Sequence, residues 1–271
     1  MKTIFLIAAD SIRSLLHQRL LLGLMLASLA LIIVFSVLMA SARKGINESY
    51  SYEAASSATA TNRMSASEQK SFRASMQQAS SAMQAFFYGF ASLGGDVVSL
   101  FIFSMAVAAE IGRGTIRLTL SKPVSRLQFL LGKFLGGVVV MAGYALLTGL
   151  AIFIFAQSQG LELNPAAKWA PWLMFCEELM LGSVAMLLSL FMHPIIASVL
   201  AFFGGNGLCS SFHNPLYYFL PDYKDFSVFL KVGEGSLVNW KDVFFLSLYA
   251  GDLVVIMLLL ALWRFRRKEL I

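Results

Sequence analysis

Long runs of apolar residues, separated by polar segments, dominate the sequence. The runs lie at residues 20–42, 85–109, 134–156, 171–192, 195–209 and 243–263. A helix rises 1.5 Å per residue and the hydrocarbon core of a bilayer is about 30 Å thick, so about 20 apolar residues span it. The fifth run is short for a crossing, and Pro194 marks a sharp reversal before it. The pattern predicts an all-α integral membrane protein with six transmembrane helices in a single domain, residues 1–271.

The first apolar run has to be distinguished from a cleaved signal peptide, because Ala40-Ser41-Ala42 resembles a cleavage site. The uncharged run that begins at Leu20 is longer than the apolar region of about 7–15 residues that is usual in a signal peptide. We therefore interpret residues 20–42 as a retained first span, with cleavage as the alternative.

Residues 1–18 have the spacing of an amphipathic helix. The apolar residues on one helical face are Ile4, Phe5, Ala8, Ile12, Leu15 and Leu16. The opposite face carries Asp10, Arg13, Ser14 and His17. This 3.6-residue spacing predicts a helix that lies in the membrane interface. A soluble helix that caps the domain is the alternative.

The polar segment 43–84 is rich in Ser, Ala, Gln and Thr. Ser65 and Glu68 have the spacing of a capping box, in which two side chains satisfy free backbone N–H groups at a helix start. Apolar residues then recur at three- and four-residue steps, namely Phe72, Met76, Ala79, Met83 and Phe87. We predict an extracytoplasmic helix from about residue 65 that continues into the second span. A helix of this length is marginal alone in water, so it needs a surface to pack against.

The segment before the last span, residues 210–240, mixes aromatic and polar residues. The aromatic residues there include Phe212, Tyr217, Tyr218, Phe219 and Trp240, and Pro221 lies among them. Aromatic side chains of this kind favour the membrane–water boundary. We interpret the segment as extracytoplasmic, with parts that re-enter the bilayer where other protein segments cover them.

The composition agrees with a membrane protein and excludes several other classes. Hydrophobic residues make up 58% and charged residues 13%, against about 45–50% and 25% in soluble domains, so the lipid bilayer is the solvent for much of the chain. The net charge of +6 comes from residues beside apolar runs, which argues against nucleic-acid binding. Cys176 and Cys209 lie in apolar context, and no His/Cys cluster has metal-ligand spacing. We predict no metal and no bound cofactor.

Basic residues near the span ends predict the orientation, because they favour the cytoplasmic side. With a cytoplasmic N-terminus, the inner segments hold Lys2, Arg13, Arg19, Arg113, Arg117, Lys122, Arg126, Lys133, Arg264, Arg266, Arg267 and Lys268. Arg43 and Lys44, just outside the first span, are the counter-evidence. We predict a multi-pass protein of the plasma (inner) membrane with both termini in the cytoplasm.

The most informative segment is residues 110–133, between the second and third spans. Gly112 and Gly114 permit a tight exit from the second span, and the stretch that begins at Thr115 is suited to a short surface helix. Pro123 ends that helix, and Ser125 caps the next one. Glu110 lies where the span meets the cytoplasm, so we predict that it pairs with a cation. The candidate cations are Arg113, Arg117 and Arg126. A segment built in this way presents a rigid protrusion to a cytoplasmic partner.

This segment resembles the ABC-2 type permeases, the membrane-spanning subunits of ABC transporters. The matching residues are Glu110, Gly114-Thr115, Leu120, Pro123-Val124-Ser125-Arg126 and Phe129-Leu130-Leu131-Gly132-Lys133. Residues 217–222 and 263–271 also resemble the family's sequences. Within the family the chain is most similar to the branch that contains permeases of copper-site maturation systems. The long segment 43–84 departs from that branch.

The resemblance implies an exporter fold, a partner and a mechanism. A coupling helix at 114–126 would bind a groove of a cytoplasmic ABC ATPase subunit, and ATP-driven closure of two ATPases would move two permeases, so a homodimer is expected. The resemblance assigns ATPase coupling to Glu110, Gly114, Thr115, Arg117, Pro123, Ser125 and Arg126. ATP would be bound by the partner, because the phosphate-binding pattern G-x-x-x-x-G-K-[ST] is absent from this sequence. The helix before the second span would pack on its counterpart in the second permease, on the segment before the last span, or on an extracytoplasmic partner.

Four acidic residues lie inside the apolar runs: Asp96, Glu177, Glu178 and Asp252. Ionisable residues are costly in a membrane and usually face protein or water. One interpretation is a translocation pathway for a cationic or amphiphilic substrate. The alternative is that these acids bond neighbouring helices or face water near the outer surface.

Other functions fit the sequence less well. An ion-gradient-driven secondary transporter or channel would use the acids as proton sites but would not need the coupling segment. A membrane enzyme lacks support, because His17, His193 and His213 are dispersed and no catalytic motif accompanies them. A structural membrane scaffold is the third alternative.

Overall fold

The structure is a computed structural model, and it describes residues 2–17, 19, 22–34, 37–38, 41, 66–112, 125–158, 168–204, 223, 226 and 239–267. Within these ranges the chain forms seven helices and no strand, so the predicted all-α character is confirmed there. The helices are α1 (Lys2–His17), α2 (Leu22–Val34), α3 (Ala66–Gly112), α4 (Arg126–Ser158), α5 (Ala170–Ser189), α6 (Pro194–Phe203) and α7 (Trp240–Arg267).

Four of these helices are long and apolar enough to cross a membrane. The apolar stretches are Ala85–Ala108 in α3, Arg126–Ile154 in α4, Ala170–Ser189 and Trp240–Arg267. The helices α2 and α6 are apolar but shorter, and they lie where the first and fifth spans are predicted. The described residues therefore give a helical membrane protein with four long candidate spans, and the count of six remains a prediction.

The helix α3 extends beyond a membrane crossing. It has 47 residues from Ala66 to Gly112 without a break. At 1.5 Å per residue it is about 70 Å long, more than twice the thickness of the hydrocarbon core. One end must therefore project from the bilayer. The predicted apolar stripe from Phe72 to Met83 falls on this projecting half, and those side chains lie outside the described residues.

The helix α5 is the centre of the bundle and packs against α3, α4, α6 and α7. Glycines let its neighbours approach closely. A Cβ atom at Gly182 of α5 would overlap the ring of Phe103 of α3, and a Cβ at Gly137 of α4 would lie 2.6 Å from the same ring. The Phe103 ring is thus buried between α4 and α5, where Phe134 lies 5.0 Å away by ring centroids. Small residues at a helix interface are the usual means of close packing in membranes.

The helix α1 packs on the first turns of α4. Gly132 and Gly136, four residues apart, face Ile7, Ala8 and Ser11 at close range. Asp10 and Arg13 are exposed, as predicted for the polar face. On the predicted apolar face Phe5 is 72% exposed, whereas Ser11 is buried against α4, and the location of this face in the membrane interface remains a prediction. Ile7, Ala8 and Ser11 thus form the contact of α1 with these two glycines of α4.

Contacts between the parallel helices α5 and α7 show which helix ends lie at the same end of the bundle. Trp172, near the start of α5, donates a hydrogen bond to Ser247, near the start of α7, at 2.8 Å. At the other end, the Arg264 guanidinium of α7 lies 4.8 Å from the ring centroid of Phe191, just after α5. The end of α3, the start of α4 and the end of α7 share this second end with α1.

Candidate functional site

An ion pair connects the two ends of the segment 110–133. The Lys133 ammonium of α4 contacts the Glu110 carboxylate at the end of α3. Lys133 is 6% exposed, and its ammonium lies 5.8 Å from the ring centroid of Phe129. A lysine this deeply buried needs a counter-charge, which Glu110 supplies. The pair holds the second and third spans together at the base of the segment.

Glu110 has a partner that the sequence analysis did not name, and its pairing with an arginine remains a prediction. Arg113 and Arg117 lie outside the described residues, and the ion pair that the structure shows is with Lys133. Lys133 lies seven residues after Arg126, two turns into α4. At this position its ammonium contacts the Glu110 carboxylate at the end of α3. The Gly132-Lys133 dipeptide at the start of the third span was the available signal.

Ser125 caps the start of α4, as predicted from its position. Its hydroxyl accepts a hydrogen bond from the Gln128 backbone N–H at 3.2 Å, and the Gln128 side chain accepts one from the Ser125 N–H at 3.1 Å. This reciprocal pair is a capping box, with glutamine in the fourth position. The direction in which the chain leaves the segment and enters α4 is thereby fixed.

Arg126 connects the start of α4 to the end of α7. Its Nη1 donates hydrogen bonds to the carbonyl oxygens of Phe265 and Arg266 at 2.9 and 2.8 Å. The guanidinium also lies 5.8 Å from the Phe265 ring centroid, and that ring stacks on Phe129 at 5.9 Å. The last carbonyls of a helix have no partner within it, and a cation there also favours the helix dipole. The Glu110–Lys133 pair, the Ser125 cap and the Arg126 contacts are called the loop base below.

The remaining residues proposed for ATPase coupling lie outside the described part of the chain. They are Gly114, Thr115, Arg117 and Pro123. The described structure therefore gives the two ends of the coupling segment and not its tip. Arg126, which the sequence analysis assigned to ATPase coupling, makes its described hydrogen bonds within the chain.

Three of the four intramembrane acids come together between α3 and α5. Asp96, Glu177 and Glu178 are 5%, 7% and 1% exposed, and these three residues are called the acid cluster. Electrostatic interaction links Asp96 to both glutamates. Asp252, grouped with them by the sequence analysis, is exposed on α7. The two glutamates are adjacent in sequence, but only the packing of α3 on α5 brings Asp96 to them.

Glycine and serine residues of α3 accommodate the acid cluster. A Cβ atom at Gly95 would overlap the Glu178 carboxylate, so only glycine leaves room for that side chain. Ser92 donates a hydrogen bond to Glu177 at 3.3 Å, and Ser99 donates one to the backbone carbonyl of Glu178. The sequence analysis missed these supporting residues, because their spacing shows a role only once α5 is packed against them.

Comparison with known families identifies the class of this chain. The family model described as ABC-2 family transporter protein matches residues 6–270, nearly the whole chain. The match gives the family and no branch within it. No match was found among curated proteins. A match of this extent agrees with the helical architecture and with the segment that links α3 to α4. The chain belongs to the ABC-2 family of transporter membrane proteins, and it is a multi-pass permease of that family.

Proposed function

We propose that this chain is the permease subunit of an ATP-driven ABC exporter and forms its translocation pathway. Membership of the ABC-2 family implies a permease component that associates with a cytoplasmic ATPase. The proposal goes further and assigns the coupling to residues 114–126. The observation that carries it is the loop base, which connects this segment to three helices of the bundle.

The loop base explains how movement of the segment would reach the membrane. The Glu110–Lys133 pair joins α3 to α4, and Arg126 joins α4 to the end of α7. Because Lys133 is buried and Arg126 bonds to backbone atoms, the two ends of the segment cannot shift independently of these helices. An ATPase that pushes on the segment would therefore tilt α3, α4 and α7 as one unit.

We place the loop base on the cytoplasmic side of the plasma membrane, together with both termini. Exposed arginines at this end of the bundle support the orientation, namely Arg13, Arg266 and Arg267, since basic residues favour the cytoplasmic side. The projecting half of α3 then lies outside the cytoplasm. We propose that it packs on the same helix of a second copy, giving a homodimer, or on an extracytoplasmic partner.

ATP binding and hydrolysis belong to the partner in this proposal. The single Gly-Lys dipeptide, Gly132-Lys133, is followed by Phe134 and lacks the glycine-rich approach of a phosphate-binding loop. Its lysine is buried in the ion pair with Glu110, where it would not be free to contact a nucleotide. The chain itself thus needs no cofactor.

The experiment is co-purification of the full chain with its ATPase, followed by replacement of both Thr115 and Arg117 by glutamate. We expect the variant to lose the ATPase while its amount in the membrane and its thermal stability stay unchanged. Lys241→Glu is the matched control, because Lys241 is exposed near the start of α7 at the other end of the bundle. Retention of the ATPase with unchanged substrate-stimulated hydrolysis would refute the assignment of residues 114–126.

The acid cluster favours a second candidate function, an ion-gradient-driven secondary transporter. Buried carboxyl groups are the usual proton relays of such proteins. The two functions are separated by transport into vesicles that contain the chain alone. Transport that needs an ion gradient and no ATPase would support the second candidate and exclude the first.

A further inference from the structure

The acid cluster places three carboxyl groups in the interior of the bundle, within two apolar spans. Asp96 lies in the middle of the Ala85–Ala108 stretch, and Glu177 and Glu178 lie on the second and third turns of α5. All three side chains are more than nine-tenths buried. Burying charged carboxylates is unfavourable unless a cation or hydrogen-bond donors compensate them. The cations and hydrogen-bond donors near the three acids in the described part of the chain therefore decide whether the carboxyl groups can be charged.

The described residues supply little of that compensation. None of the three acids makes an ion pair there, and Lys133, the buried cation, pairs with Glu110. Ser92 donates to one oxygen of Glu177. Both carboxyl oxygens of Glu178 and the Oδ1 atom of Asp96 have no hydrogen-bond partner in the described structure. Three buried negative charges would thus face one another with a single weak donor.

A second observation comes from α4, the helix opposite the cluster. The hydroxyls of Tyr144 and Thr148 are also buried without a hydrogen-bond partner in acceptable geometry, although they lie close to each other and Ser28 of α2 lies close to Tyr144. Tyr144 is 0% exposed and Thr148 is 2% exposed. Ser28 and Thr148 are within reach of the Tyr144 hydroxyl, so the carboxyl oxygens of the acid cluster are the buried atoms here that call for a partner.

The Tyr144 ring packs beside the acid cluster, while its hydroxyl lies 2.9 Å from the position of a Cβ atom at Gly94. The ring lies 3.3 Å from the position of a Cβ atom at Gly95, on the face of α3 that also holds the Glu178 carboxylate. Unpaired carboxyl oxygens from α3 and α5 therefore lie in one buried region, with the Tyr144 ring beside them.

We propose that Asp96, Glu177 and Glu178 form a proton-binding site in the interior of the permease, with Tyr144 as the neighbouring hydroxyl. A proton taken from water converts a carboxylate into a carboxylic acid, whose O–H then donates to an adjacent unpaired oxygen. One added proton thus removes one buried charge and satisfies an orphaned acceptor. Carboxyl groups that share a buried site hold protons in this way because they cannot all ionise together.

The surroundings favour a proton over a larger cation. No group of three or more His, Cys, Asp and Glu residues in the described ranges is arranged to hold a metal ion. The near-complete burial of Glu178 and Tyr144 leaves no described path for a bulky organic cation. The helix α6 has no ionisable residue, and Asp252, the ionisable residue in the middle of α7, is exposed. Among the described residues, the ionisable groups identified at the site are thus the three acids and the neighbouring Tyr144.

The test is infrared difference spectroscopy of the purified full chain in lipid nanodiscs at neutral pH. We expect a carbonyl-stretch band of a protonated carboxylic acid that shifts in heavy water and is lost or reduced in Glu178→Gln. Tyr144→Phe should shift this band, because it removes the neighbouring hydroxyl. Asp252→Asn is the matched control and should leave the band unchanged. If Glu178→Gln does not fold, as judged by its melting temperature, Asp96→Asn replaces it.

Two outcomes would overturn the proposal. If no variant of the acid cluster changes a protonated-acid band, the three carboxyl groups are ionised and the site is not a proton site. If adding sodium or potassium ions at constant pH abolishes the band and releases protons, an inorganic cation is the occupant. Neither measurement involves the ATPase, so the result is independent of the proposed coupling function.

Discussion

Lys133, two turns into α4, forms an ion pair with Glu110 at the end of α3, although 22 residues separate them in the sequence. Lys133 is almost completely buried, and Glu110 is about a fifth exposed. The pair closes the base of a segment whose tip is proposed to contact an ATPase. Its contribution to stability and to coupling can be measured separately.

Breaking this pair should destabilise the permease. Lys133→Met or Glu110→Gln leaves one charge at a largely buried site, and removing one partner of a buried pair costs about 3–5 kcal/mol. The double variant should lose less than the sum of the two, because no charge is left unpaired. Thermal unfolding in detergent measures all three. Additive losses would contradict an energetic link between the residues. We also expect Glu110→Gln to reduce coupled transport.

Arg126 should prove to be a structural residue of the loop base. Arg126→Ala removes two charge-assisted hydrogen bonds to the end of α7, and each such bond contributes about 1.5–3 kcal/mol. We expect a lower melting temperature together with weaker coupling, and partial rescue by Arg126→Lys. Unchanged stability combined with complete loss of ATPase binding would instead make Arg126 a direct contact of the partner.

Gly182→Ala should disturb the packing of α3 on α5. The added methyl group meets the Phe103 ring, and overpacking of this kind costs about 1–3 kcal/mol. Phe103→Leu in the same chain should recover part of the loss. Gly143→Ala is the control, because nothing lies within 4 Å of its Cβ position, and there alanine should be neutral or stabilising by about 1 kcal/mol. Equal effects of the two glycine replacements would contradict the packing described.

The projecting half of α3 should mediate pairing of two permeases. Cysteine at Met76 or Met83 is expected to give a cross-linked dimer under oxidation in intact membranes. The unsubstituted chain is the control, because it carries the native cysteines Cys176 and Cys209. Protection with a helical period but without a cross-link would remove the dimer contact. Labelling of these positions only from the cytoplasm would reverse the proposed orientation.

The membrane class and the helical fold follow from the sequence alone. Apolar runs of about 20 residues form α-helices in lipid, because a helix satisfies its backbone hydrogen bonds within itself. The cap at Ser125 and the polar face of α1 are also determined by local sequence. They depend on residues within one or two turns, so the pattern of the chain predicts them.

Only the tertiary structure decided which distant residues meet. The sequence analysis did not name Lys133 as a partner of Glu110, and packing of α3 on α4 brings these two residues together. It grouped Asp252 with three other acids, but α7 leaves Asp252 exposed while α3 and α5 bury Asp96 against Glu177 and Glu178. It also could not show which residues of α1 contact α4, where Ile7, Ala8 and Ser11 meet Gly132 and Gly136. In each case the outcome depends on the rotation and the separation of two packed helices. The shapes of the facing side chains determine this rotation and this separation. The residue periodicity within one helix does not predict either of them.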